Sequence, residues 1–288
     1  MLGAGRNLCC ESRRGQGPFG TSFPQIATVW RHHDPDARRH VVVTGAGTGI
    51  GRAVARRLDR DGASLTLLAR DRRRLEATAA LLEQPAQVFA CDIRDRGKVE
   101  KAFASAADGL GPVGALVACS GLGGANGADA PTDRFDDLVA TNLNGSYYCC
   151  RAALRRLAPG PEARHLVVIS SILSRIGVPE YTGYSASKAG LLGLVRSLAA
   201  EVAKDNVQVN AVCPGWVDTD MAWQGLDGIA AGSGGTREDA YRDAMKDVPL
   251  GRMAQPDDIA GTVAWLLSPD ARGVTGQAID QNGGAWMG

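Results

Sequence analysis

Short apolar runs alternate with amphipathic stretches along the chain from His40 onward. The runs are four to six residues long and rich in Val, Leu and Ala, a pattern typical of strands buried on both faces of a sheet. They predict strands at 40–44, 64–69, 87–90, 114–118, 165–170, 207–212 and 277–280. Between them, helical spacing predicts helices from Ile50 through Leu58 and at 71–82, 97–107, 132–157, 183–203 and 256–267, with Thr132 as the cap of the fourth.

This alternation predicts an α/β fold in which one doubly wound, seven-stranded parallel sheet carries helices on both faces. No internal repeat or linker follows residue 40, so we expect a single domain at 39–288. Ligands of such sheets bind beyond the carboxyl ends of the strands. The candidate site residues all lie at such an end or on the helix that follows one.

Two segments depart from the pattern. Residues 1–38 are rich in Arg, Gly and Pro without periodicity, which predicts a poorly ordered N-terminal extension. A transit peptide is the alternative, and the acidic residues of this segment count against it. Between Thr219 and Pro249 periodicity is lost again and glycines recur, which predicts a flexible loop that acts as a lid. Four apolar side chains there would either cover a hydrophobic substrate or pack on the core: Met221, Trp223, Leu226 and Ile229.

Composition limits the possible partners. The formal net charge of +1 gives no global support for a nucleic-acid or acidic-membrane partner, and no apolar run approaches the ~20 residues of a membrane span. The seven cysteines include no CxxC pair, so neither a metal site nor a disulfide framework is expected. A reducing, cytoplasmic location is the simplest interpretation.

A glycine-rich turn at 44–51, with the sequence TGAGTGIG, joins the first predicted strand to the first helix. Glycines allow a pyrophosphate to approach the backbone closely, and the helix start supplies free N–H groups and a positive dipole end. The strand before the turn and the helix after it favour dinucleotide binding over a plain turn. The candidate contacts are Gly45, Thr48, Gly49, Ile50 and Gly51.

The end of the second strand bears on the choice of cofactor. A carboxylate there would bind the adenosine ribose of NAD and repel a 2′-phosphate. This chain has Leu68-Ala69-Arg70, with no acid expected at the turn, and Arg70 can pair with a phosphate through its planar fork. We therefore expect NADP(H) rather than NAD(H), which remains possible. Asp92, after the third strand, would accept from the adenine amino group or serve as a turn residue.

Tyr184 and Lys188 lie four residues apart and share one face of a predicted helix. A tyrosine titrates near pH ~10, and a nearby ammonium lowers its pKa. Such a pair could exchange a proton with a carbonyl or alcohol oxygen, whereas a bare YxxxK is more often an ordinary surface pair.

With these elements in place, the chain resembles the short-chain dehydrogenase/reductase family over about residues 40–288. The motifs that carry the resemblance are TGAGTGIG at 44–51, CDI at 91–93, Asn142 in TNLNG, ISS at 169–171, YSASK at 184–188 and PGWVDT at 214–219. The stretches at 249–252 and 276–284 resemble the family's 3-oxoacyl-carrier-protein reductases and polyketide ketoreductases. The resemblance implies a Rossmann fold, an NAD(P) cofactor and a homotetramer or homodimer.

The resemblance also implies roles for single residues. Tyr184 would be the catalytic acid or base, and Lys188 would hold the nicotinamide ribose and lower the tyrosine's pKa. Ser171 would bond the substrate carbonyl, while its neighbours Ser170 and Ser174 would be structural. Asn142 would distort its helix and hold a water that links Lys188 to solvent. Further cofactor contacts would be Asp92, Ile93, Gly121, Pro214, Gly215, Val217 and Thr219, together with Tyr184 and Lys188.

One motif departs from the family. Where the family usually has Asn-Asn-Ala-Gly after the fourth strand, this chain has Ala118-Cys119-Ser120-Gly121. The loss of both asparagines puts the local hydrogen bonds around the cofactor in doubt, but it leaves the proton-transfer residues in place.

The expected function is NADP(H)-dependent reduction of a ketone or 3-oxoacyl thioester to the secondary alcohol, with Tyr184 as proton donor. One alternative is an NAD-dependent secondary-alcohol or sugar dehydrogenase working toward oxidation. Another is a nucleotide-sensing scaffold without turnover. Three arginines would either receive an acidic carrier protein or form a solvated helix face: Arg151, Arg155 and Arg156.

Overall fold

Seven strands lie close to their predicted positions in the computed structural model, which describes residues 39–127 and 133–288. They are β1 His40–Thr44, β2 Ser64–Ala69, β3 Gln87–Ala90, β4 Ala115–Ala118, β5 Arg164–Ile169, β6 Val207–Pro214 and β7 Ala278–Gln281. All pair in parallel in one sheet of order β3-β2-β1-β4-β5-β6-β7. Thr44, Ala118 and Val168 lie side by side in register, so the carboxyl ends of the central strands share one edge.

Helices cover both faces of the sheet. They are α1 Gly49–Arg60, α2 Arg72–Ala79, α3 Arg96–Leu110, α4 Phe135–Val139, α5 Ser146–Leu154, α6 Thr182–Val202, α7 Asp220–Ser233, α8 Arg237–Lys246 and α9 Pro256–Leu266. One apolar core lies between the sheet and α3, α5 and α6, and a second lies between the sheet and α1, α2 and α9. The doubly wound, single-domain fold is therefore confirmed for the described residues.

The predicted helix over 132–157 is wrong as a continuous element. The chain forms α4, then a π-helical segment over Ala140–Gly145, then α5. A π-helical turn shifts the backbone hydrogen bonds by one residue, and such bulges often occur at functional sites. The predicted cap Thr132 lies outside the described residues, as does the extension at 1–38.

The predicted flexible loop after Thr219 is also wrong, because α7 and α8 occupy it. Thr219 caps α7 through the amide of Ala222, and Thr236 opens α8 with a reciprocal capping box. The two helices share a small apolar core of their own, in which Leu226 is fully buried. Caps and packing outweigh the cost of about 1 kcal/mol for each interior glycine. Met221 and Ile229 instead expose 45% and 43% of their surface.

Within 39–127 and 133–288, no helix combines the length and the apolar character that crossing a membrane requires. The same residues contain no cluster of three or more His, Cys, Asp or Glu side chains able to hold a metal ion.

Candidate active site

The glycine-rich turn forms a cradle that only glycine permits. Gly45 and Gly49 have φ values of +67° and +51°, in the left-handed region that side chains disfavour. A Cβ on Gly45 would lie 2.8 Å from the amide nitrogen of Ser120, and one on Gly51 would overlap the carbonyl of Gly45. The backbone of the turn is therefore open to a ligand and closed to side chains, as a bound pyrophosphate requires.

A cleft runs from this turn along the carboxyl edge of the sheet. The predicted cofactor contacts that line it are Gly45, Thr48, Gly49, Ile50, Gly51, Arg70, Asp92, Ile93, Gly121 and Thr219. Five other predicted contacts do not line it: Pro214, Gly215, Val217, Tyr184 and Lys188. Gly215 packs against Asn282 and donates to the carbonyl of Gln281, so it holds β7 beside the turn after β6.

The prediction that no acid lies at the turn after β2 is wrong, because Asp71 follows Arg70 and caps α2 there. Arg70, Asp71 and Arg74 all line the cleft. The Asp71 carboxylate caps α2 by accepting from the Arg74 amide at 3.2 Å, and its other oxygen lies 3.5 Å from Arg74 Nε. Two arginines and one aspartate leave a positive net charge at this part of the cleft, and the Asp71 carboxylate is already engaged by Arg74.

Asp92 has a turn role in addition to its place in the cleft. Its carboxylate accepts from the backbone amide of Arg94 at 3.0 Å and from the Arg94 guanidinium at 2.7 Å. The hydrogen bonds from Arg94 hold the pKa of Asp92 below its usual value. The carboxylate is thus ionised at neutral pH and held in place where it lines the cleft.

Tyr184 and Lys188 both lie on α6, and Lys188 is the one next to Gly121. A Cβ on Gly121 would lie 3.5 Å from Lys188 Nζ, so the ammonium lies next to Gly121, which lines the cleft. Lys188 is buried, and Nζ donates to the carbonyl of Ile169 at 2.8 Å. Nζ also lies 5.6 Å from the centre of the Tyr184 ring. The two side chains therefore lie together beside the cleft that the glycine-rich turn opens into.

The predicted lowering of the Tyr184 pKa is wrong for this geometry. Burial raises the pKa of the phenol above 10.0, while its hydrogen bond with Ser171 acts in the opposite direction. Burial lowers the pKa of Lys188 to about 8. The ammonium faces the ring and bonds Ile169 rather than the phenol oxygen, so desolvation of the tyrosine dominates. Tyr184 is consequently protonated at neutral pH.

Ser171 lies at the end of β5, beside Tyr184. Its hydroxyl caps a short turn by accepting from the Leu173 amide at 3.2 Å and remains close enough to bond the phenol. The neighbouring serines bond the backbone, since Ser170 donates to the carbonyl of Lys188 at 2.9 Å and Ser174 donates to that of Ser171 at 2.6 Å.

Asn142 lies in the π-helical segment and is completely buried. Its Oδ1 accepts from the Leu122 amide at 2.7 Å, and its Nδ2 donates to the Leu122 carbonyl and to Ser187 Oγ at 3.0 Å each. The predicted distortion of the helix is therefore present, and the amide side chain fixes the loop after β4. A solvated or purely local role for Asn142 does not fit these contacts.

The substituted motif after β4 keeps the loop in place by other means. Ser120 N donates to the hydroxyl of Thr44 at 3.2 Å, and Gly121 leaves room for the Asn142 amide. Burial raises the pKa of the Cys119 thiol to about 12, so it is an unreactive thiol at neutral pH.

Sequence reasoning missed Asn126, which ties the same loop to the start of α6. It is 7% exposed, and its Oδ1 accepts from the Gly183 amide at 2.9 Å. No sequence pattern marks it, because its partners are more than fifty positions away.

Comparisons with known proteins agree with this geometry. A family model described as enoyl-(acyl carrier protein) reductase matches residues 45–285. The 3-oxoacyl-[acyl-carrier-protein] reductase MabA of Mycobacterium tuberculosis is 33% identical over 261 residues, which cover 88% of this chain and 95% of that protein. The L-rhamnose 1-dehydrogenase (NAD(P)(+)) of Azotobacter vinelandii is 34% identical over 256 residues, covering 86% and 96%.

Among solved structures, a single-residue variant of the actinorhodin polyketide ketoreductase with NADPH superposes with a TM-score of 0.81 at 33% identity, covering 86% of this chain and 97% of that one. The predicted resemblance to 3-oxoacyl reductases and polyketide ketoreductases is thus confirmed. The chain belongs to the short-chain dehydrogenase/reductase family, whose cofactors are NAD(H) and NADP(H), and is an oxidoreductase acting on CH–OH groups.

Proposed function

We propose that this protein is an NADP(H)-dependent reductase of a ketone or 3-oxoacyl thioester, with Tyr184 as the proton donor. The observation that carries the proposal is that the hydroxyl groups of Ser171 and Tyr184 lie close together, beside Lys188 and next to the Gly121 edge of the cleft. Two hydroxyl groups that converge there can both bond one carbonyl oxygen and stabilise the charge that develops on it.

The protonation state of Tyr184 supports the reductive direction. Burial raises the pKa of the phenol, so at neutral pH Tyr184 holds the proton that the alkoxide formed by hydride transfer needs. In this proposal Ser171 orients the carbonyl through its hydroxyl, and Lys188 holds the nicotinamide ribose. The bound cofactor supplies the hydride. Asn142 keeps the floor of the site in place through its bonds to Leu122.

The preference for NADP(H) rests on the charge at the end of β2. Arg70 and Arg74 line the cleft, and Asp71 is occupied by the amide and guanidinium of Arg74. Arginine forks bind phosphate well, so these residues would hold the adenosine 2′-phosphate. A related ketoreductase structure contains NADPH.

The oxidative alternative is an NAD-dependent secondary-alcohol or sugar dehydrogenase, and the similarity to an L-rhamnose 1-dehydrogenase favours it. A panel of acetoacetyl thioesters, ketones, secondary alcohols and aldoses, assayed with both cofactors in both directions, tests the choice. We expect NADPH oxidation with a ketone or 3-oxoacyl thioester. Faster NAD reduction with an alcohol or sugar would support the alternative.

The proposal extends to assembly and location. A homotetramer or homodimer is proposed, and light scattering after size-exclusion chromatography tests it. A reducing location such as the cytoplasm agrees with five described cysteines that are all free thiols: Cys91, Cys119, Cys149, Cys150 and Cys213.

A further inference from the structure

The helix that carries Tyr184 begins without a side-chain cap of its own. Tyr181 occupies the N-cap position of α6, and its side chain makes no capping hydrogen bond. The first amides of any helix have no partner within the helix. Asn126, from the loop after β4, satisfies one of them, because its Oδ1 accepts from the amide of Gly183 at 2.9 Å.

Asn126 makes further contacts with the same short segment. Its amide group lies 3.0 Å from Thr182 Oγ1, and its backbone N–H donates to the carbonyl of Glu180 at 2.8 Å. Glu180 has φ +66°, in the left-handed region that residues other than glycine seldom adopt. Such backbone conformations persist where the surroundings hold them in place, and they cluster at active sites.

Close packing accompanies these bonds. A Cβ on Gly183 would lie 3.0 Å from the Cα of Phe135, at the start of α4, and 3.3 Å from Asn126 Oδ1. The absence of a side chain at Gly183 lets the loop, α4 and α6 meet at one point. Tyr184 follows directly, so the position of its ring depends on how this point is held.

We propose that Asn126 is a positioning residue for the reaction, which caps α6 from a distant loop and thereby keeps the Tyr184 phenol within hydrogen-bond reach of Ser171. The inference rests on the proposed function, since it assigns Tyr184 as the proton donor. Asn142 fixes the loop at Leu122, and Asn126 ties it to α6, so the loop is held at two points four residues apart.

Asn126→Ala tests the inference, with Asn210→Ala as a matched control. Asn210 is also a buried asparagine that bonds backbone groups through both side-chain atoms, but it lies on β6 and bonds Val274 and Gln277. We expect Asn126→Ala to lower kcat roughly 10-fold while KM for NADPH changes less than about twofold, because a misplaced reacting group costs rate rather than cofactor affinity. Asn126→Asp keeps an acceptor for the Gly183 amide and should restore most of kcat. Thr182→Val should lower kcat less than Asn126→Ala.

A second readout needs no turnover. The Ser171 bond lowers the pKa of Tyr184, so its loss should raise that pKa. The ultraviolet absorbance of each variant is titrated with pH, and the curve of the same variant carrying Tyr184→Phe is subtracted. The difference reports the ionisation of the Tyr184 phenol alone. We expect the pKa to rise in Asn126→Ala, to stay unchanged in Asn210→Ala, and to show no added rise when Asn126→Ala is combined with Ser171→Ala.

Wild-type kcat and phenol titration in Asn126→Ala, or equal changes in Asn210→Ala, would overturn the inference. Full activity in Tyr184→Phe would instead reject the proposed function, and the two failures are therefore distinguishable.

Discussion

Lys188 lies with its Nζ atom 5.6 Å from the centre of the Tyr184 ring and donates to the carbonyl of Ile169 rather than to the phenol. The two side chains are thus adjacent, but burial removes water from each of them. Because burial disfavours the charged form of each group, the pKa of the phenol is raised and that of the ammonium is lowered. The protein alone therefore holds Tyr184 as an acid. This relationship favours proton donation to a reduced carbonyl over proton removal from an alcohol.

The burial of Lys188 predicts a pH-dependent stability. Its pKa falls from 10.5 to about 8 on folding, so the unfolded chain binds more protons between these values. The free energy of unfolding should rise as pH increases through this window, by up to about 3 kcal/mol. Urea unfolding of wild type and Lys188→Met at pH 8 and pH 10 measures it. The variant should lack most of the rise, and parallel curves would contradict this account.

His165 predicts destabilisation in acid. Burial, together with Arg39, lowers its pKa from 6.5 to about 3, and the ring lies at the amino end of β5, away from the cleft. The folded protein keeps His165 neutral where the unfolded chain protonates it. Stability is therefore complete above about pH 6.5 and is lost as pH falls toward 3. Thermal unfolding between pH 7 and pH 4.5 should show a shallower decline in His165→Leu than in wild type. An unchanged decline would mean that other groups cause the acid sensitivity.

Arg70 predicts the cofactor preference. Replacing it with Ala should weaken NADPH binding about 10- to 100-fold, since hydrogen bonds to charged groups contribute ~1.5–3 kcal/mol. Binding of NADH should change little. Fluorescence titration of both cofactors checks this, and Arg73→Ala is the control because Arg73 is exposed on α2, outside the cleft lining. Equal losses for both cofactors, or an equal loss in the control, would reject a 2′-phosphate site at Arg70.

Sequence reasoning located the strands because each is a local apolar run, such as His40–Thr44, and it predicted a parallel sheet from their alternation with helices. It also placed Tyr184, Lys188 and the glycine-rich turn, whose chemistry depends on residues near in sequence. It missed the helices after Thr219, where caps and tertiary packing outweigh the glycines. The contacts of Asn126 join residues distant in sequence, and the pKa direction of Tyr184 depends on burial. Local patterns do not encode either property.

The central claim is that Tyr184 donates the proton during NADPH-dependent reduction. The most direct test is kcat for reduction of a ketone or acetoacetyl thioester by Tyr184→Phe. Ser174→Ala is the control, since the Ser174 hydroxyl bonds the backbone carbonyl of Ser171 and the thiol of Cys213. We predict a fall of roughly 100-fold or more in Tyr184→Phe with NADPH affinity retained, in line with the loss of a general acid, and near wild-type turnover in the control. Wild-type turnover in Tyr184→Phe would contradict the account.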